Sequence, residues 1–325
     1  MPNTPRRAFL AGSALALAAP AIAQAQRAWP DGPIRLVAPF PPGGSVDLMC
    51  RLLQNPLQAL LGVPVVVENR AGASGSLGTA IAARAPADGQ TFVMVFDTHV
   101  VNPVLIPTLG YDPAKDLKAV MLVASAPMLV TTSATARQWT GLGPVIERAR
   151  QAPETITYGT VGAGSLAHLT MERVQEVTGT KMVHVPYRGG GPLSTAGSTG
   201  EIDLAIASVV GLGGLVGTTL RALAQTGAER SPLRPAIPTL IESGVPGVFA
   251  QAFWGLLAPA GVPQPIMDRF HAALAEAIRL PAVRQPLEMQ GVDVVGSTPA
   301  AFESFLTEQT ATWTRVVRDN NITVN

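Results

Sequence analysis

The stretch Pro39-Phe40-Pro41-Pro42-Gly43-Gly44-Ser45-Val46-Asp47 constrains this chain more than any other. It follows a short apolar run, Ile34 to Ala38, and leads into helical apolar spacing at Leu48, Leu52, Leu53, Leu57 and Leu60. Strand, glycine-rich turn and helix start, in that order, aim unpaired backbone N–H groups at whatever occupies the turn. A helix N-terminus carries partial positive charge and spare donors, so an anion fits there. The turn holds no Lys or Arg and no Gly-x-x-x-x-Gly-Lys pattern, so a nucleotide phosphate cradle is not indicated. The expected ligand is a small anion, such as a carboxylate, held by neutral donors. Gly43, Gly44 and Ser45 also suit tight-turn geometry and helix capping, which is compatible with anion binding. Pro56 predicts a kink inside the helix.

The 325 residues suffice for about two domains. With 47% hydrophobic and 14% charged residues, neither a disordered nor a highly charged chain is expected. The net charge of +1, without a basic run or an aromatic-basic stripe, gives no case for nucleic acid. Cys50 is the sole cysteine, so no intramolecular disulfide forms; it reads as a small core residue of the first helix. At the N-terminus Arg6-Arg7 precede Ala8-Phe9-Leu10 and an apolar run, with small-residue cleavage sites at Ala21-Ile22-Ala23 and Ala23-Gln24-Ala25. This reads as an export signal of twin-arginine type, or an ordinary secretory signal holding two arginines, cleaved near Ala23 or Ala25. Its removal takes two arginines and no acid, which shifts the net charge to −1.

Apolar strands alternate with helical segments, and a βαβαβ order over the first hundred residues argues for a mostly parallel sheet covered on both faces. Ligands of such sheets bind beyond the carboxyl ends of the strands. Leu117 to Thr132 is too long for an ordinary strand and is expected to cross between lobes. A second α/β block follows, with glycine-rich turns at Gly159–Ser165 and Pro186–Pro192. Phe253 to Pro259 reads as the crossing back, before helices at Pro265–Arg279 and Pro299–Asn320. Gly72, Gly75 and Gly78 are expected to allow close helix-to-sheet packing. The resulting expectation is an α/β fold of two lobes with a ligand cleft between them. Its parts are residues 1–25 (export signal), 26–125 (lobe 1), 126–251 (lobe 2) and 252–325 (return to lobe 1).

Several stretches, spread over nearly the whole mature chain, carry a resemblance. They are Pro-Ile-Arg-Leu-Val-Ala-Pro-Phe-Pro-Pro-Gly-Gly from Pro33, Val-Val-Val-Glu-Asn-Arg from Val65 and Ala-Asp-Gly from Ala87. Further matches are Asn102-Pro103, Tyr111-Asp112-Pro113, Tyr158-Gly159, Val-His-Val-Pro-Tyr-Arg-Gly from Val183 and Leu-Leu-Ala-Pro-Ala-Gly-Val-Pro from Leu256. In this order they resemble the substrate-binding proteins of tripartite tricarboxylate transporters, the Bug family. The resemblance implies a type II periplasmic binding-protein fold and an extracytoplasmic receptor of small organic acids. It implies a carboxylate held between Phe40, Pro41, Gly43, Gly44, Ser45 and Asp47 on one side and Thr160, Gly164, Ser165 and His168 on the other. Thr98, His99 and Asn102 fit the family's pocket-lining position after the third strand, and Asp203 matches its acid in Gly-x-x-Asp-Leu. Asp47 is expected to orient its loop rather than touch the anion. Thr98, His99, Tyr187 and Ser208 are expected to set ligand choice. One departure stands out. Where many members carry Asp or Asn, this chain has Ala207 and Ser208, followed by the glycine-rich run 211–217, which favours acids without an amine.

We expect a monomer that takes a di- or tricarboxylate, or an aromatic acid, and hands it to membrane permease subunits. No cofactor, metal or nucleic acid is expected. A ligand-binding partner of a sensor kinase is the alternative. An exported hydrolase is more remote: there is no Gly-x-Ser-x-Gly elbow and no metal spacing among His99, His168, His184 and His271. Ser165 with His168 mimics a dyad but lacks a third member.

Overall fold

The computed structural model describes residues 29–319 and 322–323; the segment 1–25, expected to be an export signal, lies outside these residues. Among the described residues ten strands form one sheet: eight follow the order β2-β1-β3-β9-β4-β7-β5-β6, and β8 and β10 pair β4 off this path. The first lobe starts with β1 (Ile34–Ala38), α1 (Ser45–Leu61), β2 (Val65–Asn69), α2 (Ser76–Ala83), β3 (Thr91–Phe96) and a short α3 (Asn102–Leu105). The 17-residue β4 (Leu117–Ser133) then leads out of it. The second lobe contains α4 (Leu142–Gln151), β5 (Thr157–Thr160), α5 (Leu166–Thr178), β6 (Val183–Pro186), α6 (Gly190–Thr199), β7 (Leu204–Ser208), α7 (Val209–Leu212) and β8 (Leu220–Gln225). The chain returns through β9 (Gln251–Pro259) and ends with α8 (Gln264–Ala277), α9 (Pro281–Met289), β10 (Asp293–Val294) and α10 (Pro299–Asp319).

The division of β4 makes the fold bilobal. Its first part, to Pro127, pairs antiparallel with β9; its last part, from Met128, pairs with β7 and β8. Thr226 fastens the crossing: its hydroxyl accepts from Met128 N–H and donates to Ala250 C=O, at 2.9 and 2.7 Å. The expected mostly parallel sheet is therefore mixed. Parallel pairs lie towards its two ends, β2-β1-β3 and β7-β5-β6, while β9 and β4 run antiparallel to their neighbours between them. The reason is connectivity: a chain that leaves along one strand and returns beside it must reverse direction.

Both crossings are apolar on both faces, and Trp254, Phe253 and Leu256 of β9 are wholly enclosed. α1 continues past Pro56 to Leu61 and stops at Gly62, whose φ of 73° is left-handed. Cys50 is fully buried on α1, and burial pushes its thiol far above the ordinary range. Among the described residues the C-terminal part holds three helices, where two were expected; α9 begins on Pro281 and contains Pro286.

Candidate functional site

The first wall of the cleft is the loop between β1 and α1. Gly43 turns at φ 81°, a left-handed conformation that strains residues carrying a Cβ. Asp47 braces this turn. Its carboxylate accepts Gly43 N–H at 2.9 Å, Asn69 Nδ2 at 3.0 Å and Arg51 Nε at 2.9 Å, while Asn69 also donates to Phe40 C=O. Burial works to raise the Asp47 carboxyl, but these hydrogen bonds hold it below the ordinary value, so it stays ionised. Gly44 is the N-cap of α1 and offers no side-chain cap, so the first N–H groups of the helix remain for another acceptor. Ser45 Oγ accepts the Trp254 indole N–H at 3.4 Å, which leaves its own O–H as a donor. Phe40, Phe96 and Trp254 stack edge-on and tilted beneath this loop.

The second wall comes from the turns before α5 and α6. Gly189 caps α6 at φ 110° and again supplies no side-chain cap. Thus two helices with glycine caps, α1 and α6, present unfilled N-termini to one cleft. The walls are in contact. A Cβ at Gly189 would lie 3.2 Å from Pro41 Cδ, one at Gly44 would lie 3.9 Å from Gly190 N, and Ser74 Oγ donates to Ala163 C=O at 2.9 Å. The space left between them is about 20 Å³, room for about one water, so a ligand enters only if the lobes part.

Of the residues singled out from the sequence, Phe40, Pro41, Gly44, Ser45 and Ser208 line this cleft. Gly43 and Asp47 support its first wall. Ser165 caps α5, with its Oγ accepting His168 N–H, and His168 Nδ1 accepts Gly164 N–H at 3.1 Å. Thr160 Oγ1 donates to Gly162 C=O and meets His184 Nε2 at 2.8 Å. Thr160, Gly164, Ser165 and His168 therefore shape the second wall from behind. Asn102 ties down Ser74 C=O, and Thr98 is buried outside the cleft lining. Tyr187 O–H donates to Glu201, away from the cleft. Asp203 accepts from the backbone N–H and hydroxyl of Thr157 and pairs with Arg137 at 2.8 Å, so its carboxylate is committed within lobe 2. His99 lines a separate groove beneath α10, with Leu306 and Thr310.

Sequence reasoning missed Asp97, the first residue after β3, together with Phe96, Met128 and Ala167 of the lining, and marked Val161, Gly189 and Gly190 only as parts of the two glycine-rich turns. An acid directly after the apolar run Phe92–Phe96 was the available signal, because that strand end is where such sheets bind ligands. Asp97 is 1% exposed, and burial pushes its carboxyl up to about 8 against the lowering effect of the Leu166 and Thr98 N–H groups.

Two expectations follow from this geometry. Ser165→Ala removes a buried N-cap, so it is expected to cost about 1 kcal/mol and lower the melting temperature by about 2–4 °C. Calorimetric titration should show affinity changing little, because Ser165 lies outside the lining. The second concerns acid. Burial holds His99 at about 4; burial, with His168 beside it, holds His184 at about 3. Both lie below the unfolded value of 6.5, so the unfolded chain binds more protons as pH falls below 6.5. The stability that these two histidines contribute is full above that value and is lost towards pH 4 and below. Melting temperatures should fall from pH 6 to 4, with the drop reduced in His99→Gln.

Two lobes, a crossed pair of linking strands and a cleft with neutral donors define a solute-binding architecture. The chain matches the model of the tripartite tricarboxylate transporter family receptor over residues 49–322. It is 34% identical to protein BugT of Bordetella pertussis over 90% of each chain. The solved structure of Rpa4515 from R. palustris, with adipate, has a TM-score of 0.87 at 31% identity, covering 91% of this chain and 99% of that one. MatC (Rpa3494) from Rhodopseudomonas palustris, with bound malate, has a TM-score of 0.81 at 28% identity, covering 89% and 99%. This chain belongs to the tripartite tricarboxylate transporter receptor family, and its fold is the two-lobed periplasmic binding-protein fold.

Proposed function

We propose that the protein is a periplasmic receptor for a small organic carboxylate, which it delivers to a membrane transporter of the tripartite tricarboxylate type. The observation that carries this reading is the convergence of two glycine-capped helix N-termini on one cleft whose lining holds no Lys, Arg or His. An anion there is held by N–H groups and hydroxyls. Each helix terminus contributes about 0.3–1 kcal/mol, up to about 2 where partly buried. The adipate and malate complexes of similar proteins support a carboxylate ligand.

In this reading residues 26–125 and 252–325 form one lobe and 126–251 the other. The lobes part about the β4–β9 crossing and close so that Gly44, Ser45, Gly190 and Ser208 surround the carboxylate. Closure exchanges the water contacts of the anion for fixed donors, which burial of a charge requires. The protein binds and releases its ligand without chemical change. The N-terminal segment with Arg6 and Arg7 directs export and is removed near Ala23 or Ala25. Among the described residues no helix is long and apolar enough to cross a membrane.

A thermal-shift screen of the chain from Gln26 tests the reading. Adipate, malate, citrate, aromatic acids, amino acids and neutral sugars form the panel. A carboxylate should raise the melting temperature by mass action, while sugars leave it unchanged. A folded protein that responds to a sugar and to no carboxylate contradicts the proposal.

A further inference from the structure

Asp97 is the only ionisable side chain among the described residues that line the cleft. It sits at the carboxyl end of β3, between the Ser45 loop and the start of α5. The Leu166 and Thr98 N–H groups face its carboxyl, while Oδ1 has no partner. A buried, unpartnered acid in a site for an anion calls for an explanation.

We propose that Asp97 is a ligand-contact residue that meets the bound carboxylate as a neutral acid, donating its O–H to one ligand oxygen. This rests on the carboxylate-receptor reading above and adds a proton to it.

The surroundings favour the neutral form. Phe40, Val46, Phe96, Met128 and Val161 line the same cleft and offer a charge no hydrogen bond, while Ser45, Ser208 and the first N–H groups of α1 and α6 are the donors that the ligand takes. Among the described residues none of the ionisable groups on the neighbouring elements pairs with it, and Arg188, on the loop before α6, is exposed to solvent. On α1, Asp47 is held by Arg51, Gly43 and Asn69. On α5, His168 receives Gly164 N–H and lies 3.6 Å from Glu172, which accepts Tyr158 O–H. His99, on the turn that follows Asp97, lines the groove beneath α10 and is itself neutral. From β4 and β7 the cleft receives Met128, Ala207 and Ser208, none charged. Desolvation without a compensating cation keeps the proton on a carboxyl, and the free group lies at about 8. An arriving anion raises it further, because two facing carboxylates cannot both ionise cheaply. The shared proton then forms a short, charge-assisted hydrogen bond. An ammonium group on the ligand would instead demand the ionised acid, so the arrangement selects acids without an amine.

Calorimetric titration with adipate and with malate at pH 6.5 and 9.5 tests this. The affinity of the wild-type protein should fall by about tenfold or more at the higher pH. Heats in buffers of different ionisation enthalpy should show uptake of close to one proton at pH 9.5 and almost none at pH 6.5. Asp97→Asn keeps an N–H donor, so it should bind at both pH values with little difference between them; Asp97→Leu should bind weakly at both. The free protein supplies a second readout. An acid raised from 3.8 to about 8 makes the native state bind more protons across that range, so stability falls as pH rises. From pH 6.5 to 8.5 the melting temperature of the wild type should therefore drop, and that of Asp97→Asn should not. A wild type whose dicarboxylate affinity and proton uptake are unchanged over this pH range overturns the inference while leaving the receptor reading intact. So does an Asp97→Asn variant that folds but binds neither adipate nor malate at pH 6.5, where the wild type binds them. A wild type that binds neither dicarboxylate at pH 6.5 overturns the receptor reading for these acids, and this inference with it.

Discussion

Gly44→Val is expected to weaken dicarboxylate binding by about 100-fold or more while leaving the protein folded. Gly44 adopts φ −81° and ψ 170°, an extended conformation open to any residue, so its backbone imposes no need for glycine. A single Cβ would also fit, 3.5 Å from Pro41 C=O and 3.9 Å from Gly190 N. The two γ-methyls of valine are different. They enter the gap between the lobes, cover the first N–H groups of α1 and hold Pro41 away from Gly189. Loss of the α1 terminus removes up to about 2 kcal/mol, and incomplete closure removes hydrogen bonds from the second wall at about 1.4 kcal/mol for each tenfold in affinity. Gly44→Ala, with one methyl at ordinary contact distance, should lose far less. Titration calorimetry of the two variants, alongside their melting curves, separates a blocked site from a damaged fold. A valine variant with undiminished affinity would place the ligand elsewhere.

The second large effect is in stability. Gly78→Ala should cost about 1–3 kcal/mol by overpacking, with a fall in melting temperature of about 2–4 °C per kcal/mol. A Cβ on Gly78 would stand 2.5 Å from Arg70 C=O and 2.8 Å from Pro39 Cα. Both are backbone atoms, so neither can swing aside as a side-chain tip would. Pro39 also begins the loop that carries Phe40, Pro41 and Gly44, so the displacement reaches the first wall of the cleft. Gly78→Ala is thus expected to reduce affinity as well as stability, unlike Ser165→Ala. Differential scanning calorimetry with and without a bound dicarboxylate checks both effects. A variant as stable as the wild type would show that α2 is free to move away from Pro39.

Much of this architecture was legible wherever local and global preferences agree. α5, Leu166–Thr178, is one such place, because Ser165 caps one end and Gly179, at φ 63°, ends the other. β4 was legible as a crossing because no ordinary strand is so long. α6 was not legible. Its sequence, Gly-Gly-Pro-Leu-Ser-Thr-Ala-Gly-Ser-Thr, has poor helix propensity and reads as loop. Tertiary packing overrides it: Leu193 and Ala196 are buried, and Gly197 lies so close to β7 that a Cβ would meet that of Ala205 at 2.7 Å.

The site divides in the same way. The β1–α1 loop announces itself through glycine, serine and the helix that follows. The contribution of α6 was hidden with the helix itself. His99 illustrates a different limit. It follows the strand end that bounds the cleft, yet the 3₁₀ turn at Asp97–Val100 carries it to the groove beneath α10. Alternation along a strand fixes the side of each residue; a single turn beyond the strand cancels that rule. Asp97, two positions earlier, remains in the cleft.

The most direct test of the central claim is a calorimetric titration that compares a dicarboxylate with its own diamide. Adipate and adipamide share a chain length and differ in charge. Binding of adipate with adipamide at least tenfold weaker is the result expected of a site built from helix N-termini and hydroxyl donors. Equal binding of the two, or tighter binding of the diamide, would contradict the claim that this cleft is made for a carboxylate.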